Sequence, residues 1–149
     1  MSELVKGQFA RTRKALSEVL EGISPEVLDT IPAGFKNNIH WQVGHILVIT
    51  EKFISKDLVN IPESYNEIFG NGTKPADWSG DIPNVETLVE QLNEQLVRIK
   101  AIPSEAFEQK LPEKFLGNET VGELIAMGAF HEAMHLGQIQ SLKKINEAK

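Results

Sequence analysis

All four histidines, His40, His45, His131 and His135, fall in two segments of the chain. His131 and His135 are four residues apart, which on a helix is about 40° of rotation, so both rings leave one face. Such a pair can grip a divalent cation through ring nitrogens at about 2.0–2.1 Å. The shared face also carries Leu124, Gly128, Gln138 and Leu142 and reads as a mainly buried stripe. Polar rings there need partners, because an unpaired buried polar group costs roughly 1–3 kcal/mol. One metal would satisfy both. Two ligands are too few, and His45 is the third candidate, one turn after Trp41 and one turn before Ile49 on the inward face of another segment. His40 is five residues from His45, about 140° around a helix, and is not expected to join it.

Three imidazoles leave at least one coordination position open, the mark of a catalytic site. Imidazole suits zinc, nickel, iron and copper alike; zinc or nickel is the expected ion, with iron or manganese as alternatives. The open position can make hydroxide from water, for hydrolysis, or bind an exogenous thiol as thiolate. The chain has no cysteine, so any sulfur nucleophile must arrive with a small molecule. Gln138 lies about 20° from His131 on the same helical face and is a candidate for orienting a ligand or touching substrate.

His131-Glu132-Ala133-Met134-His135 also matches the H-E-x-x-H pattern of zinc proteases, in which the Glu is general base. That makes Glu132 a further catalytic candidate, but the protease reading is disfavoured. The metzincin extension wants Gly three and His six residues past the second His, where this chain has Gln138 and Ser141. Glu147 is the sole acid downstream, so a distant glutamate ligand is missing.

The elements that must position these residues are helical, because apolar positions recur three and four apart and almost nothing alternates with period two. Four long helices are expected: about 2–22, ended by Gly22; from the Asn37-Asn38 pair to about Asn60; about 85–102; and from Thr120 to about Ile145. Ser24-Pro25-Glu26 reads as the cap and first turn of a short helix, and Thr120 with Glu123 as a capping box. Another short helix is expected over about 104–111, and no strand anywhere. Residues 60–83 hold three of the seven prolines and three of the eleven glycines, so they read as a long connection rather than a helix. Tyr65, Phe69 and Trp78 within it are candidates for a pocket mouth, against the plainer reading of packing on the bundle. Lys6, Arg11, Arg13 and Lys14 read as a solvated helix face.

Composition sets the outer bounds. A chain of 149 residues, 41% hydrophobic and 24% charged, suits a single domain over residues 1–149. Its net charge of −6 argues against a nucleic-acid partner, since phosphate binding rests on cations. No run is long and apolar enough to cross a bilayer. The opening Met-Ser-Glu-Leu-Val-Lys holds no apolar signal core, so a cytoplasmic location is expected.

Asn38-Ile39-His40-Trp41-Gln42-Val43-Gly44-His45-Ile46 and His131-Glu132-Ala133-Met134-His135-Leu136-Gly137-Gln138-Ile139 resemble the DinB/YfiT-like metalloenzyme superfamily, the DinB family. The resemblance covers essentially the whole chain. It implies an all-α four-helix bundle of up-down-down-up topology, with the long connection crossing between the second and third long helices. It also implies a metal held by the His of W-x-x-G-H and the two of H-x-x-x-H-x-G-Q, which are His45, His131 and His135. Some relatives resemble transferases of bacillithiol, mycothiol or glutathione, and others isomerise maleylpyruvate with mycothiol. The expected activity is therefore metal-dependent transfer of a bacillithiol-type thiol to a small electrophile. A metal-hydroxide hydrolase and a metal-binding assembly module without chemistry are the alternatives. The expected partners are a small-molecule substrate and a second copy in a homodimer, with neither nucleic acid nor membrane.

Overall fold

The computed structural model describes residues 1–55 and 58–148. Its four long helices are α1 (Ser2–Leu20), α3 (Ile39–Ser55), α5 (Val85–Lys100) and α7 (Val121–Glu147), and between them lie the short helices α2 (Pro25–Asp29), α4 (Tyr65–Phe69) and α6 (Ser104–Phe107). Local chemistry fixes the ends. Ser24 accepts from the Val27 amide at 3.2 Å at the start of α2, and Asn84 accepts from Thr87 at 2.8 Å at the start of α5. At α7, Thr120 accepts from Glu123 at 3.1 Å. The reciprocal Glu123 carboxylate bond goes to the Glu119 amide, one residue earlier than a standard capping box. The continuation of α3 towards Asn60 is not seen: residues 56 and 57 lie outside the described residues, and Leu58–Asn60 are not helical.

The expectation of no strand is wrong. β1 (Lys110–Phe115) and β2 (Asn118–Thr120) form an antiparallel hairpin with an irregular register between Lys110↔Thr120 and Phe115↔Asn118. Its two-residue turn has both central residues at positive φ, Leu116 at 51° and Gly117 at 82°, the backbone of the turn that matches strand twist. The expected helix over 104–111 accordingly stops at Phe107. The hairpin left no period-two signal because five of the six β1 residues are exposed and Pro112 speaks against a strand.

α3 is the central element. Every residue from Trp41 to Glu51 is buried, since α7, α5, α4 and α2 all pack on it. The main core joins Val43, Ile46, Leu47 and Phe69 to Leu88, Leu92, Ile139 and Leu142. A second cluster joins Val5, Phe9, Ile99, Phe107, Ile125 and Ala129. Tyr65 and Phe69 therefore belong to the core rather than to a pocket mouth. Trp78 packs against the same core, its indole N–H donating to the Ile68 carbonyl at 2.9 Å. Among the described residues no helix is long and apolar enough to cross a membrane.

Candidate metal centre

α3 delivers His45, and α7 delivers His131 and His135. One ring nitrogen from each of the three lies within 4.8 Å of the others, so this group could hold a metal ion. Nε2 of His131 and Nε2 of His135 are 3.1 Å apart. Two ligands at about 2.0–2.1 Å in a tetrahedral shell are separated by roughly 3.3 Å, so the spacing suits one shared ion. His40 faces elsewhere, between the Asp29 carboxylate at 2.9 Å and the Pro83 carbonyl at 2.7 Å.

The surroundings fix which nitrogen each ring presents. His45 Nδ1 lies 2.7 Å from the Phe69 carbonyl, which can only accept. Nδ1 thus carries the proton and Nε2 keeps its lone pair for a metal. Gly44 makes that contact possible: a Cβ there would come within 2.2 Å of the Phe69 ring. Trp41 stacks on the His45 ring at 4.4 Å between centroids and 14° between planes, and its N–H is tied to Thr73 at 2.9 Å. The W-x-x-G-H spacing is thus read by the protein itself. Trp41 sets the plane of the imidazole, and Gly44 admits the segment that orients it.

His135 is held by a residue that the sequence reading missed. Its Nδ1–H donates to Oε1 of Gln42. The amide of Gln42 in turn donates to Gln138 at 2.8 Å and to Asn37 at 3.1 Å. Gln138, read as a ligand-orienting residue, is itself exposed; it bears on His135 through Gln42 and also directly, where it opposes the lowering of the His135 pKa. The available signal for Gln42 was its position three residues before His45, on a segment with apolar residues on every side. His131 differs from the other two, since its Nδ1 is buried with no partner among the described residues.

Burial is the main reason the three imidazoles stay neutral. It lowers the His45 pKa, with the Phe69 carbonyl opposing and Lys52 adding to the effect. Burial and the neighbouring His45 lower His131 to about 4. Burial with His45 and His131 lowers His135 to about 3. At neutral pH all three are in the form that binds a cation.

Glu132, between the two α7 histidines, is turned to other work. Its carboxylate takes Nε of Arg13 at 3.0 Å, Nη2 of Arg13 at 3.1 Å and the Thr50 hydroxyl at 3.1 Å, all buried. Burial pushes the Glu132 carboxyl up, and Arg13 pulls it back. Arg13 is therefore not on a solvated face as expected. It is 6% exposed, and its other bonds go to the Leu92 carbonyl and the Gln95 side chain on α5. The sequence carried the sign: Phe9, Arg13 and Leu16 are spaced four and three apart on the apolar stripe of α1.

Two cavities lie along the seam of α3 and α7, lined by neighbours of the histidines, Phe53 in one and Gln42 in the other, and by none of the three histidines themselves. One, of about 490 Å³, lies under the hairpin and is bounded by Ile49, Lys52, Phe53 and Leu124 from the two helices. The other, of about 720 Å³, opens beside Gln42, Gln138, Asn37 and Lys36.

The sequence matches the model of the DinB superfamily over residues 8–139, and the chain belongs to that superfamily. A conserved protein of a locus from Enterococcus faecalis, known from a crystal structure, superposes with a TM-score of 0.74 over 100% of this chain and 98% of that one. At 16% identity that likeness concerns the fold alone. No curated protein matches the sequence.

Proposed function

We propose that the protein is a divalent-metal-dependent transferase joining a low-molecular-weight thiol to a small electrophile. The carrying observation is three neutral imidazoles converging from two helices, two of them with Nδ1 held so that Nε2 is presented. When bound, a zinc or nickel ion supplies Lewis acidity that favours the thiolate form of an exogenous thiol at neutral pH. The chain's own part is to bind and orient. Phe69 and Gln42 keep two imidazoles aimed, and the apolar packing of α3 keeps bulk water from their rings. The absence of cysteine leaves an outside thiol as the sulfur source. In the transfer an S–C bond forms as the bond from carbon to the leaving group breaks. The leaving group keeps the electron pair, and the thiol proton passes to solvent.

The same reading includes an up-down-down-up bundle. Arg13 meets Glu132 and Lys143 meets the Val19 carbonyl, so α1 and α7 advance together. Gln42 meets Gln138 while Thr50 meets Glu132, so α3 runs against α7. His40 meets Pro83 and Glu51 meets Arg98, so α3 and α5 advance together. The test of function is consumption of bacillithiol or glutathione with a chloroaromatic electrophile by zinc- or nickel-loaded protein. Metal-dependent consumption, lost in His45→Ala, is expected; no consumption with any thiol and either metal overturns the reading.

A further inference from the structure

The cavity under the hairpin has a composition that points to its occupant. Its volume of about 490 Å³ falls in the range of small-molecule sites, about 300–1,000 Å³. The walls are Ile49, Phe53, Leu111, Leu124, Phe115 and Leu116. The last two, at the hairpin tip, are 53% and 62% exposed, so apolar area stands ready to be covered.

One cation stands in this apolar wall. Lys52 is half-buried and donates to the neutral side chain of Asn66. Among the described residues no carboxylate pairs with it. The lining's one acid, Glu113, is exposed on β1. The stem of Lys52 is half-buried while its ammonium sits at an exposed contact on the cavity rim. A cation there with only a neutral partner among the described residues favours an anion, and the apolar walls favour a hydrophobic body behind it.

The cavity is also coupled to the metal centre. Phe53, part of its wall, meets the His131 ring edge-on at 6.3 Å.

We propose that this cavity binds a small amphipathic anion, its apolar body between Phe53, Leu111 and Leu116 and its anionic head at Lys52. That this ligand is the substrate of the three-histidine centre rests on the function proposed above; that the cavity binds it does not.

Anilinonaphthalene sulfonate has this chemistry, and phenylnaphthylamine is the same ring body without the charge. Both are titrated by fluorescence into full-length protein, zinc-loaded and metal-free. One saturable sulfonate site is expected. Lys52→Met should weaken the sulfonate by up to about fivefold, the size of a charge contact at an exposed rim, and leave the neutral probe unchanged. Leu116→Asp should weaken both probes about tenfold or more by placing a charge in the apolar wall. Asp also tolerates the positive φ at this position better than Leu does, so the hairpin is expected to form. Equal weakening of both probes by Lys52→Met, or no effect of Leu116→Asp, overturns the proposal; Phe115→Ser repeats the second arm should Leu116→Asp not fold. Zinc affinity measured by chelator competition separates the two readings. A protein that binds the sulfonate but no zinc sinks the metal reading and leaves this site standing. A protein that binds zinc but not the sulfonate does the reverse.

Discussion

At the scale of single residues, the outer partners of the histidines decide how well the centre is built. Gln42 is the partner of His135 and carries no charge, so its effect is through orientation and the choice of tautomer. Gln42→Ala is expected to weaken zinc binding by about 10–100-fold, the range seen when such partners are removed. Chelator competition reads it directly, and an unchanged affinity would mean that packing alone aims His135. The pKa values make a second residue-scale prediction for metal-free protein. An unfolded chain takes up protons on His131 and His135 near pH 6.5, while the folded protein resists until about 4 and about 3. The unfolded state therefore binds more protons across that window. The associated stability is complete above about pH 6.5 and drains away as pH falls toward those values. Melting temperatures of the metal-free wild type should fall over that window more steeply than those of a His131→Gln/His135→Gln variant; equal slopes would refute the assignment. The convergence of His45, His131 and His135 was legible in the sequence because helical spacing and the motif both mark them. Gln42 and the Phe69 carbonyl were not, since an amide on an apolar segment and a backbone oxygen 24 residues away in the chain leave no periodic trace.

At the scale of the elements, one buried polar network ties all four long helices together. Arg13 of α1 bonds to Glu132 of α7 and Gln95 of α5, and Gln95 passes on to Glu51 of α3 at 2.9 Å. Burial pushes the Glu51 carboxyl up, but Arg98, Gln95 and Asn60 outweigh it and hold it below its ordinary value. Removing one end leaves a charge stranded. Arg13→Met is therefore expected to cost about 3–5 kcal/mol, the usual toll of breaking a buried pair. Pairing it with Glu132→Leu should restore much of that loss, because the stranded carboxylate goes too. Urea midpoints of the two single variants and the double variant supply the cycle. Additive losses would show that the two side chains do not act as a pair. The H-E-x-x-H string thus has a structural reason for its Glu: it sits about 60–100° around the helix from the histidines, where it meets Arg13 of α1 and Thr50 of α3. Helix existence was legible because the apolar spacing of α1 and α5 is unambiguous. The hairpin was hidden by exposed strand residues and Pro112, and Arg13 was misread because a charge was allowed to outweigh its position on the stripe.

At the scale of the whole molecule, the three histidines join α3 to α7, and Phe69 brings in the long connection through His45. A cation bound there would cross-link segments separated by 86 residues between His45 and His131, counting 131 minus 45. Only the folded chain brings the three rings together, so metal binding must stabilise the fold by mass action. With free zinc at about a thousand times its dissociation constant, that stabilisation is about 4 kcal/mol. A domain of this size gains about 2–4 °C of melting temperature per kcal/mol, so zinc should raise the melting temperature by on the order of 10 °C. Removing zinc should reverse the shift without erasing the helical circular-dichroism signal, because both apolar clusters are built without any help from the histidines. His45→Ala should lose the zinc-dependent part on top of a zinc-independent loss of about 1–3 kcal/mol, because it leaves the buried Phe69 carbonyl unpaired and removes the stacking on Trp41. Global unfolding on chelation would instead make the ion a structural keystone, and the proposed chemistry would then lose its footing, since a catalytic ion must leave a position open without the fold depending on it.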